Sequence, residues 1–427
     1  MIDAGLLRHT SAAMFALMQP PRNISSFPVP RRTLMGPGPS DMPPRVVNAL
    51  GQAAVGHLDP AFVHMMDEIK ELLRYAFQTS NSLTFAVSGP GSVGMETCFV
   101  NLVEPGDKVI VCRNGVFGGR MIENVERCGG TAIIVDDAWG DPVDPDKLAD
   151  ALRTNSDARL VAFVHAETST GAQSDAQALV ALARAHECLT IVDTVTSLGG
   201  TPVLVDAWGA DAVYSGSQKC LSCTPGLSPV TFSDRAIARL KSRRHKVQSW
   251  FMDLALVLQY WDGAAKRTYH HTAPVNCLYA LHEALVLLKE EGLENAWARH
   301  RLHHEALKAG LEALGLEFLV RPSARLPQLN AVKVPPSVDE ALVRRRLLEE
   351  FNLEIGAGLG PLAGKIWRFG LMGYSSRKSN VMLCLESLAT ILAEGGLATA
   401  ASCAVVAAEQ IYSKWNSQVE TNDCRPA

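Results

Sequence analysis

Short apolar runs alternate with helical stretches along the first half of this chain, and that rhythm constrains the fold more than any other feature. The runs are Leu83–Val87, Lys108–Cys112, Thr131–Val135, Leu160–His165, Leu189–Asp193 and Ala212–Ser215, each bounded by turn residues. Amphipathic patterns such as Asp67–Gln78 and Asp175–His186 read as helices before and between them. A βαβα order predicts an α/β fold with a mostly parallel sheet covered by helices on both faces. In such sheets a ligand sits beyond the carboxyl ends of the strands. Ser88–Ser92, Thr168, Asp193 and Lys219 each follow a predicted strand, so the candidate chemistry collects there. From about Val275 the texture changes. Long helices at Leu278–Glu290 and Glu294–Leu314 precede shorter strands at Leu316–Val320 and Leu329–Val334, which predicts a second, α+β domain. A chain of 427 residues is also longer than a single core usually supports. The expected division is an N-terminal arm over 1–30, a large domain over 31–290 and a smaller C-terminal domain over 291–427. The last ends in an Ala-rich helical tail from Leu397, frayed from Asn416.

Composition mainly excludes. A formal charge of -4 gives no electrostatic case for nucleic acid or an anionic membrane. No run of 18 or more apolar residues occurs, so no membrane span is expected. Ten cysteines scattered through apolar stretches, among them Cys112, Cys128 and Cys188, read as reduced thiols rather than a disulfide framework. The expected compartment is the cytoplasm, or the mitochondrion if the arm, which carries Arg8 and Arg22, is a presequence. No metal is expected. The C-x-x-C pair Cys220 and Cys223 lacks a second pair or a neighbouring His ligand.

Four motifs carry candidate chemistry, and each has a bland reading beside the functional one. Lys219 ends Y-S-G-S-Q-K, just after a strand and among small residues. It is either a strand-end lysine facing solvent or an amine whose pKa burial lowers so that it can attack a carbonyl. Asp193 ends the apolar strand in I-V-D-T-V-T-S. A buried carboxylate needs a partner: either the amides of a following helix, or a cation such as the pyridinium nitrogen of pyridoxal phosphate (PLP). V-S-G-P-G-S-V-G-M-E, from Val87 to Glu96, is a Gly-rich turn between strand and helix that could cradle a phosphate. It is not a dinucleotide fingerprint, because the acid expected about 20 residues on is missing around Arg113 to Gly115. Arg368, in W-R-F-G, either grips a substrate carboxylate or closes an internal salt bridge.

Taken in order, L-M-G-P-G-P-S, G-H-L-D-P, H-A-E-T-S-T-G, V-D-T-V-T-S-L-G-G, Y-S-G-S-Q-K, R-T-Y-H-H-T-A-P-V and W-R-F-G-L-M-G resemble the class V aminotransferases of PLP fold type I. The likeness runs from about Leu34 to Leu392 and is greatest to the alanine–glyoxylate and serine–pyruvate group. It implies a mostly parallel seven-stranded sheet in a large PLP-binding domain, and a homodimer with active sites shared across the interface. It implies that Lys219 carries the cofactor as a Schiff base and shuttles a proton, and that Asp193 holds the pyridinium nitrogen. Thr168 is implied to bond the phenolic oxygen. Phe117 would stack on the ring where the family places an aromatic, often Trp. Gly91, Ser92 and Gln218 would bind the phosphate, joined by Tyr269 and Thr272 from the neighbouring subunit. Arg368 would hold the substrate carboxylate, and the loop Gly36 to Gly38 would close over the substrate.

The implied reaction moves an amino group from alanine or serine to glyoxylate or pyruvate. The alternative is a transaminase or lyase of the same fold acting on another amine, since fold does not fix the reaction. Two departures stand out. Pro90 removes one N–H donor from the phosphate turn, and Cys220 and Cys223 replace small or apolar residues. His270 and His271, which look like a metal pair, are expected to be loop and packing residues.

Overall fold

The apolar runs pair into one seven-stranded sheet. Its strands are β1 (Leu83–Ser88), β2 (Lys108–Arg113), β3 (Thr131–Asp136), β4 (Leu160–Val164), β5 (Leu189–Asp193), β6 (Ala212–Tyr214) and β7 (Leu227–Phe232). The spatial order is β1-β7-β6-β5-β4-β2-β3. The four pairings from β6 across to β3 are parallel, and β7 is antiparallel to both its neighbours. Every residue of β4 and of β7 is buried, which requires cover on both faces. This computed structural model describes residues 24–261, 267–396 and 401–423. Most of the arm expected over 1–30, and the presequence reading with it, lies outside the described residues.

Strand β7 is not among the runs expected above, and it carries Pro229. Proline lacks a donor and argues against a central strand. Here its carbonyl still accepts from Ser215 N at 2.8 Å, and the strand survives between two neighbours. The helix expected from Asp67 starts earlier and spans Pro60–Phe77. Pro60 occupies the first turn, and the Asp59 side chain accepts from Ala61 N at 2.8 Å.

A second apolar cluster gathers residues from Ala306 to Tyr412 with Met35. At its centre Ile366–Gly370 lies between Leu329–Lys333 and Gly356–Ala357 in a three-stranded antiparallel sheet. The strand expected at Leu316–Val320 is only a single bridge, Phe318 to Val332. Around that bridge, on the edge of Leu329–Lys333 away from Ile366–Gly370, Leu319 N donates to Ala331 O at 2.9 Å and Lys333 N to Glu317 O at 2.8 Å. The helices Val275–Glu291 and Leu293–Ala313 meet at Gly292, whose φ of 83° suits glycine. The tail is helical over Ala401–Asp423, so its backbone continues past Asn416. Among the described residues no helix is long and apolar enough to cross a membrane.

One segment links the two sheets. Thr33–Leu34 pairs in parallel with Leu353–Glu354, and Met35 O accepts from Gly370 N at 2.6 Å. Five residues on, Ser40 N donates to Gln218 O at 2.9 Å and Ser40 Oγ to Lys219 O at 2.8 Å. The loop between is thereby stretched from the antiparallel sheet to the lysine turn.

Candidate active site

Lys219 follows β6 in a tight turn and is 8% exposed, so the solvent-facing reading fails. Its Nζ donates to Pro37 O in the linking loop. Burial pushes the amine down to about 8, with the field of Arg368 adding to it. Gly38 holds a φ of 108°, and a Cβ there would lie 2.7 Å from Lys219 Cδ. A side chain at that position would both strain the backbone and displace the amine.

Asp193 ends β5, directly across the parallel pairing from Tyr214 at the end of β6. Tyr214 Oη donates to Asp193 Oδ2 at 2.7 Å, and Val195 N donates to Oδ1 at 2.8 Å. The capping reading of Asp193 therefore describes one oxygen, and a tyrosine takes the other. Burial pushes this carboxyl up to about 7, against the pull of its two donors. Tyr214 was given no role from sequence, because strand register is not local information. The signal was two polar side chains ending consecutive apolar strands.

A cavity of about 160 Å³ brings these groups together. Asp193, Tyr214, Lys219, Gln218, Phe117 and Gly91 line it, with Ser92 and Arg120. Gly91 and Ser92 open the helix Gly91–Leu102, whose first amides have no intrahelical acceptor. Pro90 precedes the first turn, so its missing N–H leaves those donors intact. Gln218 buries Oε1 without a hydrogen bond. Half a turn of that amide presents Nε2, a donor, to the same space. The Phe117 ring carries the Arg120 guanidinium 4.8 Å from its centroid.

Thr168 and Arg368 form a second group. Thr168 Oγ1 bonds Thr196 Oγ1 at 2.5 Å, and Thr168 O accepts from Arg368 Nη1 at 3.0 Å. Arg368 Nε donates to Ala357 O at 2.6 Å. Among the described residues no carboxylate pairs with Arg368, so the internal salt bridge is excluded. Burial holds the guanidinium down to about 10. Gly36 packs against Gly356 on the strand next to the one that carries Arg368.

Other expected residues lie elsewhere. Tyr269 is 62% exposed, Thr272 is exposed, and neither lines the cavity. Cys220 and Cys223 are buried, and desolvation raises each thiol to about 12, far from thiolate chemistry. His270 stacks on Trp250 at 4.5 Å, and His271 bonds Ser88 Oγ at 2.8 Å, so both pack as expected.

The model of the family described as aminotransferase class V matches residues 34–376. The chain belongs to the class V aminotransferases. The alanine–glyoxylate aminotransferase of Callithrix jacchus is 40% identical over 389 residues, covering 90% of this chain and 93% of its own length. The crystal structure of alanine–glyoxylate aminotransferase from Nostoc sp. is similar at 48% identity and a TM-score of 0.84, covering 86% of this chain and 97% of that one. The ureidoglycine–glyoxylate aminotransferase of Bacillus subtilis superposes with a TM-score of 0.89 at 38% identity, covering 91% of this chain and 100% of that one. This class V aminotransferase therefore has PLP fold type I, and PLP is its cofactor.

The residues present fit that group. A buried carboxylate at one end suits a protonated pyridine nitrogen, and a phenyl face suits the ring. Free helix-start amides and an unpartnered amide at the other end suit a phosphate. The buried amine of Lys219, pushed down to about 8, lines the same cavity.

Proposed function

We propose that this class V aminotransferase moves an amino group from alanine or serine to glyoxylate or pyruvate. The observation that carries the reading is a buried lysine with a lowered pKa that shares a cavity with a buried aspartate and feels the field of a guanidinium with no carboxylate in contact among the described residues. Lys219 would hold PLP covalently through Nζ. Once an incoming amine takes that place, the same Nζ moves the proton at the substrate Cα. Bound PLP supplies the electron sink for that proton loss. Asp193 keeps the pyridine nitrogen protonated, with Tyr214 and Val195 fixing the orientation of its carboxylate. Phe117 supports the ring, Thr168 bonds its phenolic oxygen, and Gly91, Ser92 and Gln218 hold the phosphate. Arg368 takes the substrate α-carboxylate as a fork, already aimed by the carbonyls of Ala357 and Thr168. The loop carrying Gly36 and Gly38 lies against Lys219 and excludes water.

Glyoxylate is common to the alanine and ureidoglycine relatives, so the acceptor is the better supported half of the assignment. The donor is what separates them. Half-reaction spectra with L-alanine, L-serine and (S)-ureidoglycine test it. Conversion of bound PLP by L-alanine or L-serine supports the assignment, and conversion by (S)-ureidoglycine alone overturns it.

Tyr269 and Thr272 would complete the phosphate site of a second copy in a homodimer. Their exposure, together with that of Trp250 (63%) and Leu58 (46%), supports that reading. The division at residue 290 into a large and a small domain belongs to the same proposal, supported by the two apolar clusters. Free buried thiols such as Cys98, Cys112 and Cys188 support a reducing, cytoplasmic setting.

A further inference from the structure

Glu167 is fully buried, yet the reaction outlined above gives it nothing to do. It is the acid of H-A-E-T-S-T-G, one residue before Thr168. Among the described residues no lysine, arginine or histidine forms an ion pair with it. An unpaired buried carboxylate costs several kcal/mol, roughly, unless donors surround it. Three do. Ser169 N donates to Oε1 at 3.0 Å, Ser169 Oγ donates to the same oxygen at 2.6 Å, and Phe117 N donates to Oε2 at 3.2 Å.

The contacts converge on the turn that launches the helix Val116–Arg127. Val116 N donates to Ser169 Oγ at 3.0 Å, so the Glu167–Ser169 pair satisfies two of the amides that every helix start leaves over. Gly115 caps that helix without a side-chain bond of its own. A Cβ at Gly115 would collide with the Glu167 carboxylate and lie 2.6 Å from Ser169 Oγ. The glycine is there so that the carboxylate can reach. On its other side, Glu167 adjoins the carbonyl of Thr168 that accepts from Arg368 Nη1.

We propose that Glu167 is a positioning residue that fixes the Phe117 ring relative to Thr168 and Arg368, joining the ring-supporting and carboxylate-gripping parts of the site. This rests on the site assignment above. The acceptor geometry makes a specific demand. Both carboxylate oxygens receive donors, and glutamine can supply only one acceptor, so Glu167→Gln keeps the shape but turns one oxygen contact into an N–H facing an N–H.

The test uses the full-length holoenzyme, with PLP affinity, the visible circular dichroism of bound cofactor and the split between kcat and KM as readouts. In Glu167→Gln, PLP should bind about tenfold more weakly. The dichroism per bound cofactor should fall, while the visible absorbance of lysine-bound cofactor still forms at saturation. Because Glu167 acts through Phe117, the penalties of Glu167→Gln and Phe117→Leu should not add in the double variant. Unchanged affinity and dichroism, or additive penalties, overturn the proposal. If Glu167→Gln does not fold, Ser169→Ala serves instead. It should weaken PLP about threefold, and an unchanged affinity would overturn the proposal. A wild-type protein that forms no lysine-bound band would overturn the site assignment itself, an outcome distinct from either of these.

Discussion

The two sheets supply the candidate site in opposite ways. The seven-stranded sheet delivers Asp193 and Lys219 from consecutive strand ends, and each finds its partner within the same neighbourhood: Tyr214 and Val195 for the acid, the Pro37 carbonyl for the amine. The three-stranded sheet delivers one residue, Arg368, which rests on backbone carbonyls and has no carboxylate in contact among the described residues. One region therefore holds an acid and an amine that each have a hydrogen-bond partner of their own, suited to a cofactor that stays. The other holds a cation whose contacts are backbone carbonyls, suited to an anion that comes and goes. A carboxylate substrate is what such a cation would recognise.

Substitutions can break this contrast. Asp193→Asn should cost most, lowering kcat by about 10³-fold, because the pyridine nitrogen loses the charge that keeps it protonated. Steady-state turnover measures it, and a loss under tenfold would place the acid in a capping role only. Arg368→Ala should come next, raising KM for the amino acid by about 10²-fold with a smaller change in kcat, as for a lost charge-assisted fork. Equal losses in both regions for cofactor affinity would erase the distinction. Tyr214→Phe should weaken PLP binding by about tenfold, since one charge-assisted hydrogen bond to Asp193 is removed. Equilibrium titration of the apoprotein with PLP reads that directly.

The helix packed beside the smaller sheet sharpens the contrast through pH. Burial pushes His300 down to about 3 and His303 to about 4, against an ordinary value of 6.5. His300 Nε2 accepts from Gly373 N at 2.9 Å, which requires the neutral ring. Between pH 6.5 and about 4 the unfolded chain binds more protons than the folded one, so stability is complete above 6.5 and falls as acid is added. Each histidine contributes about 1.4 kcal/mol per pH unit across that window. Denaturant titrations at pH 7 and pH 5 check the slope, and a His300→Gln variant should flatten it.

Legibility in the sequence followed the same divide. Asp193, Lys219 and the turn at Gly91 and Ser92 were readable because strand ends and Gly-rich turns are local signals. Tyr214 and Glu167 were not, because what they hold arrives from another strand or helix, and register is fixed only by packing. Strand β7 carries Pro229, which lacks a donor for the ladder, and Leu316–Val320 follows the sheet edge for one bridge only, because apolar residues alone do not say how far a pairing runs. For Arg368 the sequence left two readings open, and only the neighbours at Ala357 and Thr168 separated them.

The central claim is that Lys219 alone forms the covalent link to the cofactor. Borohydride reduction of the PLP-loaded protein, followed by proteolysis and mass spectrometry of the peptides, tests it most directly. One irreversibly modified residue, Lys219, is expected, with no labelled peptide in Lys219→Ala. A label on another lysine, or a wild-type protein that takes none, would contradict it.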